Sequence, residues 1–145
     1  MRLYICIMLL IPIFCLCQKN DKTKNYVSIG LFDHKSGFSA LSYSKTILQN
    51  NNNEIFIGLG SMIALNTFSI GYKRYLIHDF VDGYSALSFQ KIYGMAGGSD
   101  AAFLSIGAEK RIWKILFING GINITLLVES LDFLTFPNIN INFRF

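Results

Sequence analysis

Pro137-Asn138-Ile139-Asn140-Ile141-Asn142-Phe143-Arg144-Phe145 closes the sequence with a strict alternation, every odd position apolar and every even position polar. A period of two over nine residues describes a β-strand with one apolar and one polar face. Chain ends are usually polar and loosely held. So regular a strand at the end suggests that the rest of the chain supplies partners for it.

Working outward from it, seven earlier segments repeat the pattern. Tyr26 to Phe32 sets Val27, Ile29 and Leu31 against Ser28 and Gly30. Phe38 to Ile47 alternates more weakly, its serines diluting both faces. Glu54 to Ile63 sets Ile55, Ile57 and Leu59 against Phe56, Gly58 and Gly60, and Thr67 to Ile77 sets Phe68, Ile70 and Tyr72 against Ser69, Gly71 and Lys73. Tyr84 to Tyr93, Ala101 to Arg111 and a segment from Leu116 to Val128 continue the series. Turn chemistry separates them: Asp33-His34-Lys35-Ser36-Gly37, the asparagine run Asn50 to Asn53, Asp82-Gly83 and the glycine-rich Gly94 to Asp100, the most flexible loop by composition. A Ser-Ile-Gly triplet recurs at Ser28, Ser69 and Ser105, each time a bulky aliphatic between two small residues.

Composition narrows the class. The 145 residues are 52% hydrophobic and 15% charged, apolar for a soluble domain. No apolar run reaches 18 residues beyond the N-terminus, so the sequence holds no candidate membrane-spanning helix there. The net charge of +4 is scattered and forms no basic stripe, which argues against nucleic acid as a partner.

Met1-Arg2 followed by apolar Leu3 to Phe14 and the small-residue pattern at Cys15 and Cys17 reads as an export signal, residues 1–17, cleaved before Gln18. Acylation of Cys15 or Cys17 is disfavoured, because Phe14 and Leu16 precede them where a small residue is needed. Residues 18–25 form a polar, flexible lead-in, and 26–145 the folded domain. Cys6, Cys15 and Cys17 all fall in the signal, so the mature chain is expected to hold no disulfide and no thiol chemistry.

Eight alternating segments of about nine to eleven residues predict an all-β fold, an antiparallel up-and-down transmembrane β-barrel. A soluble barrel would put the apolar face inside and a charged face outside. Here the polar set is Ser, Gly, Asn and Thr, suited to a narrow packed lumen, so the apolar face is expected to meet lipid.

With these elements in place, the chain resembles the small eight-stranded outer-membrane barrels of Gram-negative bacteria, the OmpX and OmpA type. The resemblance covers the architecture of residues 26–145, and its specific element is the final alternation ending in Phe145. It implies a location in the cell outer membrane and a closing strand, marked by Ile139, Ile141, Phe143 and Phe145, that the barrel-assembly machinery reads. It also implies contact with outer-membrane lipid. The short loops depart from the family's usual long ones and weaken an adhesive role.

Candidate chemistry is sparse. His34 and His78 both fall in turns, and without cysteine no metal-ligand spacing arises, so no metal and no cofactor are expected. His34-Lys35-Ser36 superficially resembles the His-x-Ser of outer-membrane lipid A deacylases of the PagL type, though in the first turn and not on a late strand. His78-Asp79 with Ser85 could compose a hydrolase triad only if the three met in space. Strand parity instead points Lys73, Glu109, Arg111, Glu129 and Arg144 into the lumen, where charges are costly unless paired. They predict an ion-pair network filling the barrel, with Glu109 or Glu129 as partner of Arg144; a narrow ion path is the alternative use of such groups. Tyr26, Tyr43, Tyr72, Tyr75, Tyr93 and Trp113 near strand ends suggest interfacial girdles. The expectation is a non-enzymatic outer-membrane barrel with a side-chain-filled lumen. The alternatives are a soluble periplasmic barrel for a lipophilic ligand and a lipid A-modifying enzyme.

Overall fold

A computed structural model describes residues 24–145 apart from Asn51, Asp79 and Ala96; residues 1–17, expected to be an export signal, and residues 18–23 lie outside the described residues. Eight antiparallel strands close into an up-and-down barrel: β1 (Asn25–Leu31), β2 (Leu41–Asn50), β3 (Asn53–Met62), β4 (Leu65–His78), β5 (Asp82–Gly94), β6 (Gly97–Arg111), β7 (Leu116–Leu127) and β8 (Phe133–Arg144). Each pairs with its sequence neighbour, and β8 returns to β1 with Leu31 opposite Ile139 and Tyr26 opposite Arg144. Beyond that register Asn25 and Phe145 exchange both backbone hydrogen bonds, at 2.9 and 3.0 Å. The final residue therefore closes the last rung, and no strand edge is left at that end of the seam.

The faces follow the alternation. Ser28, Ser42, Ser44, Ser69, Ser88, Ser105, Asn119, Asn123, Asn138, Asn140 and Asn142 point inward and are buried, while Ile29, Leu59, Ile70, Phe89, Ile106, Ile122 and Ile139 stand exposed outside. This inverts the polarity of a soluble barrel, whose apolar residues line the interior.

Several boundaries move from their expected places. β8 starts at Phe133, so Pro137 lies inside it, opposite Ile122 of β7. Proline is tolerated there because β1 ends at Leu31, opposite Ile139, so no ladder bond from β1 is required at residue 137. Most of the loop expected at Gly94 to Asp100 is strand. Gly94 pairs with Gly97, and Gly97 to Asp100 already belong to β6.

The largest correction concerns the first turn. β2 begins at Leu41 and not at Phe38, and the nine residues 32–40 fold back into the lumen. Phe32 adopts φ 54° as the chain leaves β1, and Gly37, at φ 64°, donates from its N to Asp33 O at 2.7 Å. Asp33, His34, Lys35, Ser36 and Ser39 are each at most 3% exposed. An eight-stranded lumen normally has room only for wall side chains. Here the wall residues are small, and the connection takes the space they leave. A Cβ on Gly60 would press against Ser36 and Ser39, and one on Gly37 would enter the side chain of Gln90.

Candidate functional site: the plugged lumen

Three layers stack inside the barrel. At the end opposite the termini, Phe32 and Phe38 of the plug meet Phe103 and Phe136 of the wall, with ring centroids 4.5 Å (Phe32–Phe136), 5.0 Å (Phe38–Phe136) and 5.4 Å (Phe38–Phe103) apart. Ile92, Ala101, Leu65 and Leu127 pack around them, giving an apolar cap over that mouth. Offset and edge-on aromatic pairs of this kind add about 0.5–1.5 kcal/mol each beyond their buried area.

Below the cap lies a hydroxyl and amide layer. Ser42 donates to Asp33 Oδ2 at 2.7 Å and Ser36 to the same oxygen at 3.1 Å, while Ser36 and Ser39 share a bond of 2.6 Å. Thr67 donates to Ser36 O at 2.8 Å and Asn140 to Phe32 O at 3.2 Å. Wall side chains thus take up the plug carbonyls of Phe32 and Ser36 and the Asp33 carboxylate, as a buried loop requires because its backbone cannot reach water.

The third layer is ionic. The Lys35 ammonium of the plug bonds Glu54 of β3, which also accepts from Thr46, and sits 3.5 Å from the centre of the Tyr26 ring. Lys73 donates to Glu109 at 2.9 Å, and Arg144 bonds the same carboxylate oxygen. The Lys73 ammonium lies 4.2 Å from the Tyr84 ring centre, and the Arg144 guanidinium 3.7 Å from that of Phe117. His34 joins plug to network: its Nε2 lies 3.2 Å from Lys73 Nζ, and its Nδ1 is 3.0 Å from Asp33 Oδ1 and 2.8 Å from Asn119 Nδ2. The ring thus faces the Lys73 ammonium on one side and the Asp33 carboxylate on the other. Three cations (Lys35, Lys73, Arg144) balance three anions (Asp33, Glu54, Glu109), the compensation a low-dielectric interior demands.

Of the five charges that parity points inward, the structure brings three together: Lys73, Glu109 and Arg144. Arg111 stands at the mouth near the termini, exposed, on the rim of a cavity of about 370 Å³ that also takes in Tyr26, Glu109, Phe117 and Arg144. Glu129 is corrected: β7 ends at Leu127, and Glu129 is exposed in the turn beyond it, at the end of the barrel away from Arg144. Parity holds only while a strand lasts. Asp33, Lys35 and Glu54 escaped the sequence reading. Glu54 shares the parity of inward Phe56 and could have been found, but Lys35 looks like any turn lysine.

Other expectations resolve as follows. Ser36 Oγ is engaged by Asp33 and Ser39 and not by the His34 ring, so His34-Lys35-Ser36 does not form a nucleophile and base pair. His78 falls at the end of β4, opposite Asp82 in register, and Asp79 lies outside the described residues. Tyr26 and Tyr75 are inward, at 3% and 8% exposure, so they form no girdle; Tyr43, Tyr72, Tyr93 and Trp113 face out. Ile139, Ile141 and Phe145 lie on the outer face of β8 with Phe143 partly covered beside them. No group of metal-ligating residues occurs among the described residues. No known family model, curated protein or solved structure matches the chain.

Proposed function

We propose that the chain is an integral β-barrel of the bacterial outer membrane, non-enzymatic, closed by its own first loop, with a structural or interaction role. One observation carries this: the outer face is an apolar band with polar edges. On β3 it runs from Asn53 to Ser61 through Ile55, Ile57 and Leu59; on β4, from Asn66 to Arg74 through Phe68, Ile70 and Tyr72; on β6, from Asp100 to Lys110 through Ala102, Leu104, Ile106 and Ala108. Eight to ten residues at about 3.3 Å rise and roughly 40° tilt give a band about 20–25 Å tall, close to the ~25 Å of outer-membrane barrels. Exposed to water, the same band would be a severe aggregation hazard.

Against the soluble-binder alternative stands a lumen that is polar and filled, where a lipophilic ligand needs an apolar cavity. Against the lipid-modifying enzyme stands the enclosure of Asp33, His34 and Ser36 within the plug. Export through residues 1–17 and recognition of Ile139, Ile141, Phe143 and Phe145 by the barrel-assembly machinery belong to the same proposal.

Refolded protein in detergent should run at different apparent mass on gels before and after boiling, and should partition with membranes on cell fractionation. Recovery as a soluble periplasmic protein without detergent would refute the proposal. Deleting Phe145 removes the rung with Asn25 and should lower assembly in cells; unchanged insertion would argue against a role for that end in assembly.

A further inference from the structure

The exposed charges of the barrel divide unequally between its ends. The half nearest the termini carries Lys24, Lys45, Arg74, Lys110, Arg111 and Lys114 on its outside and rim, against Asp82; Asp79, between β4 and β5 in sequence, lies outside the described residues. The opposite half carries Asp100, Glu129 and Asp132 against Lys91, which pairs with Asp100 at 3.7 Å.

Two of the cations sit in matching settings. Lys45 stands opposite Asn25 across β1 and β2, and Tyr43, two residues before it, donates its hydroxyl to Asn25 Oδ1 at 2.9 Å. Arg74 stands opposite Asn53 across β3 and β4, and Tyr72, two residues before it, donates to Asn53 Oδ1 at 2.6 Å. Each unit has an aromatic body on the apolar band, a hydroxyl and amide at its edge, and a cation beyond. Tyrosine takes this position where a hydrocarbon phase meets a polar one. Further round the rim Trp113, 74% exposed, lies between Lys110 and Lys114, with the Lys110 ammonium 3.5 Å from the centre of the Phe80 ring. Among the described residues none of these cations is held in an ion pair with a carboxylate.

We infer that this basic and aromatic collar binds the phosphate headgroups of anionic phospholipids in the leaflet that meets the termini. The inference rests on the membrane reading above. A cation held near an anionic lipid surface favours its association about fivefold, and long Lys and Arg side chains reach headgroups while their stems stay on the apolar band. At the other end the acidic excess would repel such headgroups, so the charge distribution also fixes which end of the barrel faces that leaflet.

The single tryptophan of the sequence makes the inference testable, because Trp113 lies in the collar. The full chain is refolded into phosphatidylcholine vesicles containing a minor share of phosphatidylglycerol, with one lipid or the other brominated as a contact quencher. Trp113 should report a local phosphatidylglycerol share about fivefold above bulk, lowered toward bulk by the triple substitution Lys110→Gln, Arg111→Gln and Lys114→Gln and by high salt. Quenching that tracks the bulk composition in the unaltered protein, or a preference undiminished by the triple substitution, overturns the collar. Brominated phosphatidylcholine alone separates the two ideas: quenching there without a headgroup preference removes only the collar, and absence of quenching in every lipid removes the membrane reading itself.

Discussion

Replacing Lys35 by Met tests whether the plug is held by its ion pair with Glu54. Both side chains are at most 1% exposed, so neither charge can recruit bulk water when the other is lost. Met keeps most of the apolar stem but removes the ammonium, stranding Glu54 with the Thr46 hydroxyl as its remaining donor, its Oε2 already unpartnered. Breaking a buried pair from one side costs about 3–5 kcal/mol, a shift of about a hundredfold to several thousandfold in the folding equilibrium. Loss of the ammonium from the face of Tyr26 belongs to the same figure and is not an addition to it. Glu54→Gln should cost a comparable amount, leaving Lys35 unpaired. The double substitution strands no charge and should lie within about 1–2 kcal/mol of the original protein, so the two singles, summing to about 6–10 kcal/mol, imply a coupling of at least about 4 kcal/mol. The measurement is urea unfolding of the four proteins in lipid vesicles, followed by Trp113, which stands outside the lumen and does not touch the altered residues. A double variant as unstable as the sum of the two singles would refute the reasoning, because it would mean that the two charges do not interact through the plug.

Three further outcomes follow from the same geometry. Replacing Phe32 to Phe38 by Asn-Gly places Leu31 opposite Ser39 and removes the plug; planar-bilayer recordings should show conductance absent from the intact protein, and a silent variant that still shows heat-shifted gel mobility would contradict the plug. Glu109→Gln should destabilise by about 3–5 kcal/mol, because Lys73 and Arg144 both lean on one carboxylate, whereas Glu129→Gln should stay within about 0.5 kcal/mol; comparable urea midpoints for the two would show that the ionic layer is wrongly assigned. Gly37→Ala forces a side chain into a left-handed backbone at φ 64° and against Gln90, and should lower stability by at least about 1 kcal/mol; an unchanged midpoint would mean that the plug tip is loosely packed.

Much of the barrel was legible because alternation is a property of adjacent residues. Ile139, Ile141 and Phe143 read as one face and Asn138, Asn140 and Asn142 as the other without any knowledge of partners, and the weak charge of the polar set already assigned it to the inside. The plug was not legible. Asp33-His34-Lys35-Ser36-Gly37 has the composition of a solvated turn, and nothing local distinguishes a turn that leaves the barrel from one that enters it. The sign lay elsewhere, in the serines and glycines of the wall, whose small volume serves this loop as much as the narrowness of the lumen. The ionic layer was half legible for the same reason. Parity assigned Lys73, Glu109 and Arg144 to the interior, but it overran the end of β7 at Glu129 and stopped short of Glu54.

By itself, then, the sequence determined the strand pattern, its inside-out polarity and the strand that ends at Phe145. Only the tertiary structure decided what fills the interior. The partners Lys35 and Glu54, Lys73 and Glu109, and Arg144 and Glu109 are 19, 36 and 35 residues apart, and the wall encloses them all only where β8 pairs with β1. Face polarity is written residue by residue along a strand, whereas the contents of a lumen depend on the volume and charge that all eight walls leave together.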